Sequence, residues 1–250
     1  MNRSLLKKTA CFSCLMTAIG AIGGFLVGMY TFAYYTDEMR SMILQQVGSE
    51  TSFYLLTVIQ SAIYSLIASS IGYILSDRIG LMRPLGLRKE TVMKILPGII
   101  AMSILFFLDY PVSGRIMPEV KAEYAKGISL PYFLASLIYG GITEEILLRL
   151  FMLSLIAFVI NLIARRDPIG KGTLEAANII SALLFAAGHI PATLALFGRL
   201  DAPILLRCFI LNGGFGYAFG RYYIKHGIQY AMLAHFSLHL ISKLLLLAVL

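Results

Sequence analysis

Charged residues are scarce in this chain. Of its 250 residues only 14% are charged, against 58% that are hydrophobic. A soluble domain of this length cannot bury so much apolar surface in a single core. The composition therefore excludes an ordinary soluble protein, and lipid must cover the apolar surface that the fold leaves outside.

Strand-like alternation of apolar and polar residues is also absent, as are internal repeats and low-complexity tracts. Instead, short polar breaks separate seven apolar runs of spanning length, at 10–35, 52–76, 92–110, 130–164, 176–197, 204–224 and 228–250. This pattern predicts an all-α, polytopic transmembrane helical bundle. The fourth run is too long for one hydrocarbon core and contains Gly140-Gly141, so it predicts one kinked helix, or two helices and eight spans. We divide the chain into residues 1–129, with three spans and an external loop over 111–127, and residues 130–250.

Cysteine is rare as well, with three in the chain. Cys11 and Cys14 form a CxxC pair, but neither a second pair nor a βαβ pattern accompanies it. We therefore interpret them as small residues that fill a helix. Cys208 stands alone, and we expect it to be inert.

Basic residues outnumber acidic ones by 21 to 13, which gives a net charge of +8. Such a charge often indicates nucleic acid binding, but here the basic residues lie in the breaks between apolar runs, where they act as topology signals. We expect no nucleic acid partner. With seven spans, a cytoplasmic N-terminus places most of them inside the cell, Arg165 and Arg166 included, so we predict a multi-pass protein of the cell membrane. The first run is too long for a secretory signal and is expected to remain as the first span.

Ionisable side chains within spans are energetically costly, and they usually mark a functional site. This chain places three of its four histidines there, together with several other polar residues. The polar set within the spans is Glu144, Glu145, Arg149, His189, Asn212, His235, His239 and Lys243.

Helical spacing predicts which of these residues lie next to each other. Residues four apart share a face of a helix, so Glu145 should pair with Arg149, and His235 should lie beside His239. Glu144 then points in another direction and is free for chemistry. In a dry site a carboxylate is an effective general base for water, and imidazoles can orient that water or stabilise the oxyanion that forms when it attacks an amide. Peptide hydrolysis fits this set.

Three short motifs carry these residues in order along the chain. They are Glu144-Glu145-Ile146-Leu147-Leu148-Arg149, Phe185-Ala186-Ala187-Gly188-His189 and His235-Phe236-Ser237-Leu238-His239. In these motifs, and over about 130–245, the chain resembles the CPBP family of intramembrane CAAX proteases and bacteriocin-processing enzymes, which carries EExxxR, FxxxH and HxxxN on successive membrane helices. One position departs from the family pattern, because His239 stands where the family often has Asn, and a neutral imidazole has one donor where an amide has two.

The resemblance implies an intramembrane glutamic endopeptidase without a cofactor or metal. The resemblance implies that Glu144 activates water and that His189 assists it. Glu145 and Arg149 complete the first motif. His235 and His239 then stabilise the oxyanion. The implied partners are the lipid bilayer and a membrane-embedded or lipid-anchored peptide or protein substrate, of the CAAX-like or leader and pheromone type.

Two other functions stay open on the sequence alone. A zinc-dependent membrane protease could use His189, His235, His239 and Glu144 as ligands, although Phe236 stands where an HExxH motif needs Glu. A non-enzymatic membrane protein, either an immunity or scaffold factor or a transporter with a proton-relay carboxylate, could hold the same polar residues. A serine protease is disfavoured because the chain has no GxSxG motif. A cleavage product would separate the enzymatic readings from the others.

Overall fold

The computed structural model describes residues 3–165 and 168–250, so Arg166, one of the predicted topology signals, lies outside the described residues. The described residues are 87% helical and contain no strand. The helices are α1 (Arg3–Tyr34), α2 (Asp37–Val47), α3 (Glu50–Arg78), α4 (Lys89–Ile116), α5 (Pro118–Ala125), α6 (Leu130–Ala164), α7 (Lys171–Phe197), α8 (Ala202–His226) and α9 (Ile228–Val249).

Among these described helices, seven are long and apolar enough to cross a membrane, namely α1, α3, α4, α6, α7, α8 and α9. The predicted all-α class and the seven spans are confirmed, and the chain is a multi-pass membrane protein. The fourth apolar run is the single helix α6, of 35 residues, so Gly140-Gly141 does not divide it.

The predicted external loop over 111–127 is mostly helical, which corrects the sequence interpretation. Helix α4 continues to Ile116, and α5 begins at Pro118, a residue suited to the first turn of a helix. Tyr124 of α5 donates a hydrogen bond of 2.7 Å to Asp109, which also forms an ion pair with Arg207 of α8. Burial and the neighbouring carboxylate raise the pKa of Tyr124, so the phenol keeps its proton and can donate. These bonds tie the segment to the bundle.

Small residues let the first two spans pack closely. Gly20, Gly24 and Gly28 of α1 face Ser65, Ser61 and Thr57 of α3, and a Cβ atom at any of these glycines would lie within 2.5 Å of the facing residues. Membrane helices commonly associate through such small residues, because they bring two backbones together. Helix α3 therefore has a fixed position from which it can support α6.

Gly72 of α3 provides that support. A Cβ atom at this position would lie 2.8 Å from the backbone oxygen of Leu150 in α6. Leu150 is fully buried and directly follows Arg149 in the first motif. The contact of α3 with α6 thus fixes the backbone beside the candidate site.

We expect Gly72→Ala to lower the free energy of unfolding by about 1–3 kcal/mol, because the added methyl group meets a backbone atom that cannot rotate away. The measurement is denaturant-induced unfolding of the purified protein in detergent. Gly172→Ala is the matched control, since a Cβ there meets no heavy atom within 4 Å. Equal stability of the two variants would show that Gly72 is not a packing constraint.

Candidate active site

Much of α6 is wound more loosely than a regular α-helix. Residues Ser136–Glu144 and Ile146–Leu153 form π-helical turns, in which amides bond to the carbonyl five residues back. Glu144, Glu145 and Arg149 lie in or directly between these turns. The regular α-helical geometry predicted for this segment is therefore wrong. Such turns occur often at functional sites because they redirect side chains.

Glu145 and Arg149 nevertheless form the ion pair that their spacing predicted. Glu145 Oε1 lies 3.1 Å from Arg149 Nη1, and the two side chains are 0% and 1% exposed. The guanidinium carbon lies 4.4 Å from the ring centre of Phe185 and 5.6 Å from that of Phe219. Arg149 is thus held by a carboxylate and by two aromatic faces, an environment that suits a buried guanidinium.

Glu145 Oε1 also accepts a hydrogen bond from α9. His235 of α9 is buried, and its Nδ1 lies 2.8 Å from Glu145 Oε1, while its ring stacks on Phe219 with centroids 4.4 Å apart. An ionised carboxylate can only accept, so Nδ1 is the donor. On the other side of the ring, Nε2 lies 3.1 Å from His239 Nε2. His235 and His239 share one face, as predicted.

Gly140-Gly141 is the point where α6 and α9 approach each other. A Cβ atom at Gly141 would lie 2.8 Å from Cα of Phe236, and one at Gly140 would lie 3.3 Å from His239 Nε2 and 3.9 Å from Glu144 Oε2. Larger residues would separate the two helices. The glycine pair that suggested a break in the sequence instead brings His239 close to Glu144.

Glu144 lies near His189 of α7, whereas the ion pair of Arg149 is formed with Glu145. Its Oε1 lies 4.0 Å from His189 Nε2. The side chains of Glu144 and His189 are 19% and 32% exposed, whereas Glu145 and Arg149 are closed off. The adjacent glutamates therefore occupy different environments, and only Glu144 is open to small molecules.

His189 lies where α7 is interrupted, between the segments Lys171–Gly188 and Ile190–Phe197. Its backbone amide bonds to Ala186 O at 3.0 Å rather than to the carbonyl four residues back. That carbonyl, of Phe185, accepts from the His189 ring at Nδ1, at 2.9 Å. Because Nδ1 carries the proton, Nε2 of the neutral ring presents a lone pair to Glu144.

Two of the polar residues from the spans remain to be placed. Asn212 donates to Cys208 O within its own helix, at 3.0 Å, and makes no hydrogen bond to the six motif residues within the described chain. Lys243 does reach the cluster, with Nζ 3.3 Å from His239 Nδ1. No role for Lys243 was predicted from the sequence, although its position four residues after His239 is a usable signal. Phe219 was not predicted either, because no local pattern marks its ring.

Residues 3–165 and 168–250 contain no group of three or more His, Cys, Asp and Glu side chains arranged to hold a metal ion. The six motif residues instead form two connected parts. One is the series of buried Arg149, Glu145 and His235 with half-buried His239, and the other is the more open pair Glu144 and His189.

Comparison with known proteins gives one match. Residues 126–241 match the family described as type II CAAX prenyl endopeptidase Rce1-like. No curated protein and no solved structure matches the chain. The matched segment contains all six motif residues, and the match supports an intramembrane protease. Over the segment that carries its candidate site, the chain is thus similar to the Rce1-like type II CAAX prenyl endopeptidases, in agreement with the resemblance seen in its motifs.

Proposed function

We propose that this protein is an intramembrane glutamic endopeptidase, in which Glu144 activates the water that cleaves a peptide bond. The observation that carries the proposal is the pairing of an open carboxylate with the unprotonated nitrogen of His189 at 4.0 Å. Both atoms are hydrogen-bond acceptors, and they are too far apart to bond to each other. One water molecule can donate a proton to each of them.

A water held in this way is well placed to attack a carbonyl carbon. Its two O–H groups point to Glu144 and His189, which leaves the oxygen lone pairs free for the substrate. As the oxygen bonds to the carbonyl carbon, one water proton passes to Glu144 and the carbonyl oxygen becomes an oxyanion. The C–N bond then breaks, its electron pair goes to nitrogen, and Glu144 returns the proton to the leaving amine.

The series Arg149, Glu145, His235 and His239 stabilises the oxyanion that this attack produces. Arg149 and Glu145 orient His235, and His239 lies next to it and close to Glu144 across Gly140. We assign oxyanion stabilisation to the pair of His235 and His239. His235 gives its one N–H to Glu145 and positions His239, whose Nε2 lies 3.1 Å from His235 Nε2 in the resting site and carries the N–H that is offered to the developing oxyanion. All six motif residues then have a role, without a metal or cofactor.

We propose residues 130–250 as the catalytic core, because the six motif residues all lie there. Residues 1–129 are then accessory spans, and the N-terminus is cytoplasmic by the distribution of basic residues. The family match favours membrane-embedded or lipid-anchored peptides of the CAAX-like type as substrates. Peptides of the leader and pheromone type are the second substrate class that we propose to test.

The proposed function is tested with the purified full chain in lipid vesicles that contain lipid-anchored reporter peptides. We expect a peptide product in which water labelled with ¹⁸O adds one label to the new carboxylate, detected by mass spectrometry. Binding of the peptides without any product would instead favour the non-enzymatic alternative.

A separate prediction concerns metal. We expect cleavage to continue after treatment with strong zinc chelators, because the proposed steps use only side chains and water. Elemental analysis of the purified protein should give well below one zinc per chain. Zinc at one per chain, with activity that is lost on its removal and restored on its return, would establish the zinc-dependent alternative instead.

A further inference from the structure

Lys243 is a buried cation without a carboxylate partner. It is 2% exposed, and it takes part in none of the ion pairs that the described residues form. Its Nζ lies 4.6 Å from the ring centre of Tyr132 and 3.3 Å from His239 Nδ1. A lysine at this depth is costly, and an apolar side chain would fill the same space at lower cost. This cost indicates a function.

The hydrogen bonds of Lys243, His239 and His235 in α9 can each be assigned a donor and an acceptor. Because Glu145 accepts from His235 Nδ1, the other nitrogen of a neutral His235 ring is an acceptor. His239 Nε2, 3.1 Å away, can then donate to it if the proton of His239 is on Nε2. His239 Nδ1 is left as an acceptor, and the lysine amine beside it can donate there. Lys243 thus donates to His239, His239 donates to His235, and His235 donates to Glu145.

We infer that Lys243 is a positioning residue that fixes the proton of His239 on Nε2, the nitrogen that lies against His235 Nε2 and beside Gly140, on the side of Glu144. The inference rests on the proposed function for its catalytic consequence. Without the lysine, His239 can carry its proton on Nδ1. In that tautomer His239 has no N–H on Nε2, so it can donate neither to His235 Nε2 nor to an oxyanion at this side of the ring.

This role explains how an imidazole can serve at position 239. An amide there would present N–H donors on its own, whereas an imidazole presents one only in the correct tautomer. Lys243 selects that tautomer. A requirement for the lysine should therefore exist only while position 239 is a histidine.

The tautomer can be measured without any activity. The chain has four histidines, so ¹⁵N-labelled histidine gives a simple NMR spectrum, and His239→Asn assigns the His239 signals. We expect Nε2 to be protonated in the parent, Lys243→Gln to keep that pattern, and Lys243→Met to place a measurable fraction of His239 in the Nδ1 tautomer. Gln and Met have similar length, so they differ mainly in the N–H donor. An unchanged pattern in Lys243→Met would overturn the inference.

Kinetics provide the second test. Lys243→Met should lower kcat by about tenfold or more with little change in KM, since a lost oxyanion donor typically costs at least that. Lys243→Gln should recover most of the loss. In a His239→Asn background, Lys243→Met should cost less than roughly threefold, because the two positions are coupled.

An equal loss from Lys243→Met in both backgrounds would mean that the lysine acts on packing alone, which overturns the inference. A parent that cleaves no peptide would contradict the proposed function instead. The NMR result still decides the role of Lys243 in that case.

Discussion

Glu144→Gln is expected to reduce peptide cleavage by about a hundredfold to ten-thousandfold, the usual contribution of a general base. The amide keeps the shape and polarity of the side chain but cannot take the proton of the attacking water. Since Glu144 is partly open and makes no ion pair closer than 4.0 Å, its replacement should leave the fold intact. The measurement is the initial rate of product formation in vesicles, normalised to folded protein.

Two controls make this result specific. Glu38→Gln removes an exposed carboxylate in α2 and should leave the rate at the parental level. Glu145→Gln should lose more stability than Glu144→Gln, because it removes the partner of both Arg149 and His235. Cleavage by Glu144→Gln at the parental rate would exclude the glutamate mechanism.

Arg149→Ala is expected to cost about 3–5 kcal/mol of folding free energy, because it leaves Glu145 as a buried charge without a counterion. The change also removes the cation from the faces of Phe185 and Phe219. Arg149→Lys keeps the charge and should be less damaging, although a lysine cannot stack in the same way. Folded yield after size-exclusion chromatography and unfolding in detergent measure the difference.

The matched control is Arg199→Ala. Arg199 pairs with Glu119 and Asp201 at the surface, with 57% of its side chain exposed, and such pairs contribute about 0–1 kcal/mol. Stability of Arg149→Ala equal to that of Arg199→Ala would show that the buried pair has no structural role.

Hydropathy was sufficient to predict the seven spans, because length and apolar content decide which helices can cross a bilayer. It could not predict α2 or α5. Helix α2 begins at the Thr36 cap, and α5 depends on Pro118 and on the bond of Tyr124 to Asp109. These local and tertiary contacts leave no hydropathy signal. The π-helical turns of α6 were also missed, since no residue type encodes them directly.

Spacing along one helix predicted the contacts within that helix. It gave the pairs Glu145 with Arg149 and His235 with His239, although α6 is not regular. Contacts between helices depend on which faces meet, and one sequence does not specify this. The bond of His235 to Glu145 and the close approach at Gly141 therefore required the structure.

The distribution of charge between the two helices of the site has a consequence for how the protein is made. With neutral imidazoles, the α6 residues Glu144, Glu145 and Arg149 sum to one negative charge, and Lys243 of α9 supplies one positive charge. The fourth span therefore enters the bilayer with an unbalanced carboxylate, which is costly in hydrocarbon. The net charge of the two helices becomes zero only when α9 packs against α6, so the site is electrically complete only once α9 is in place.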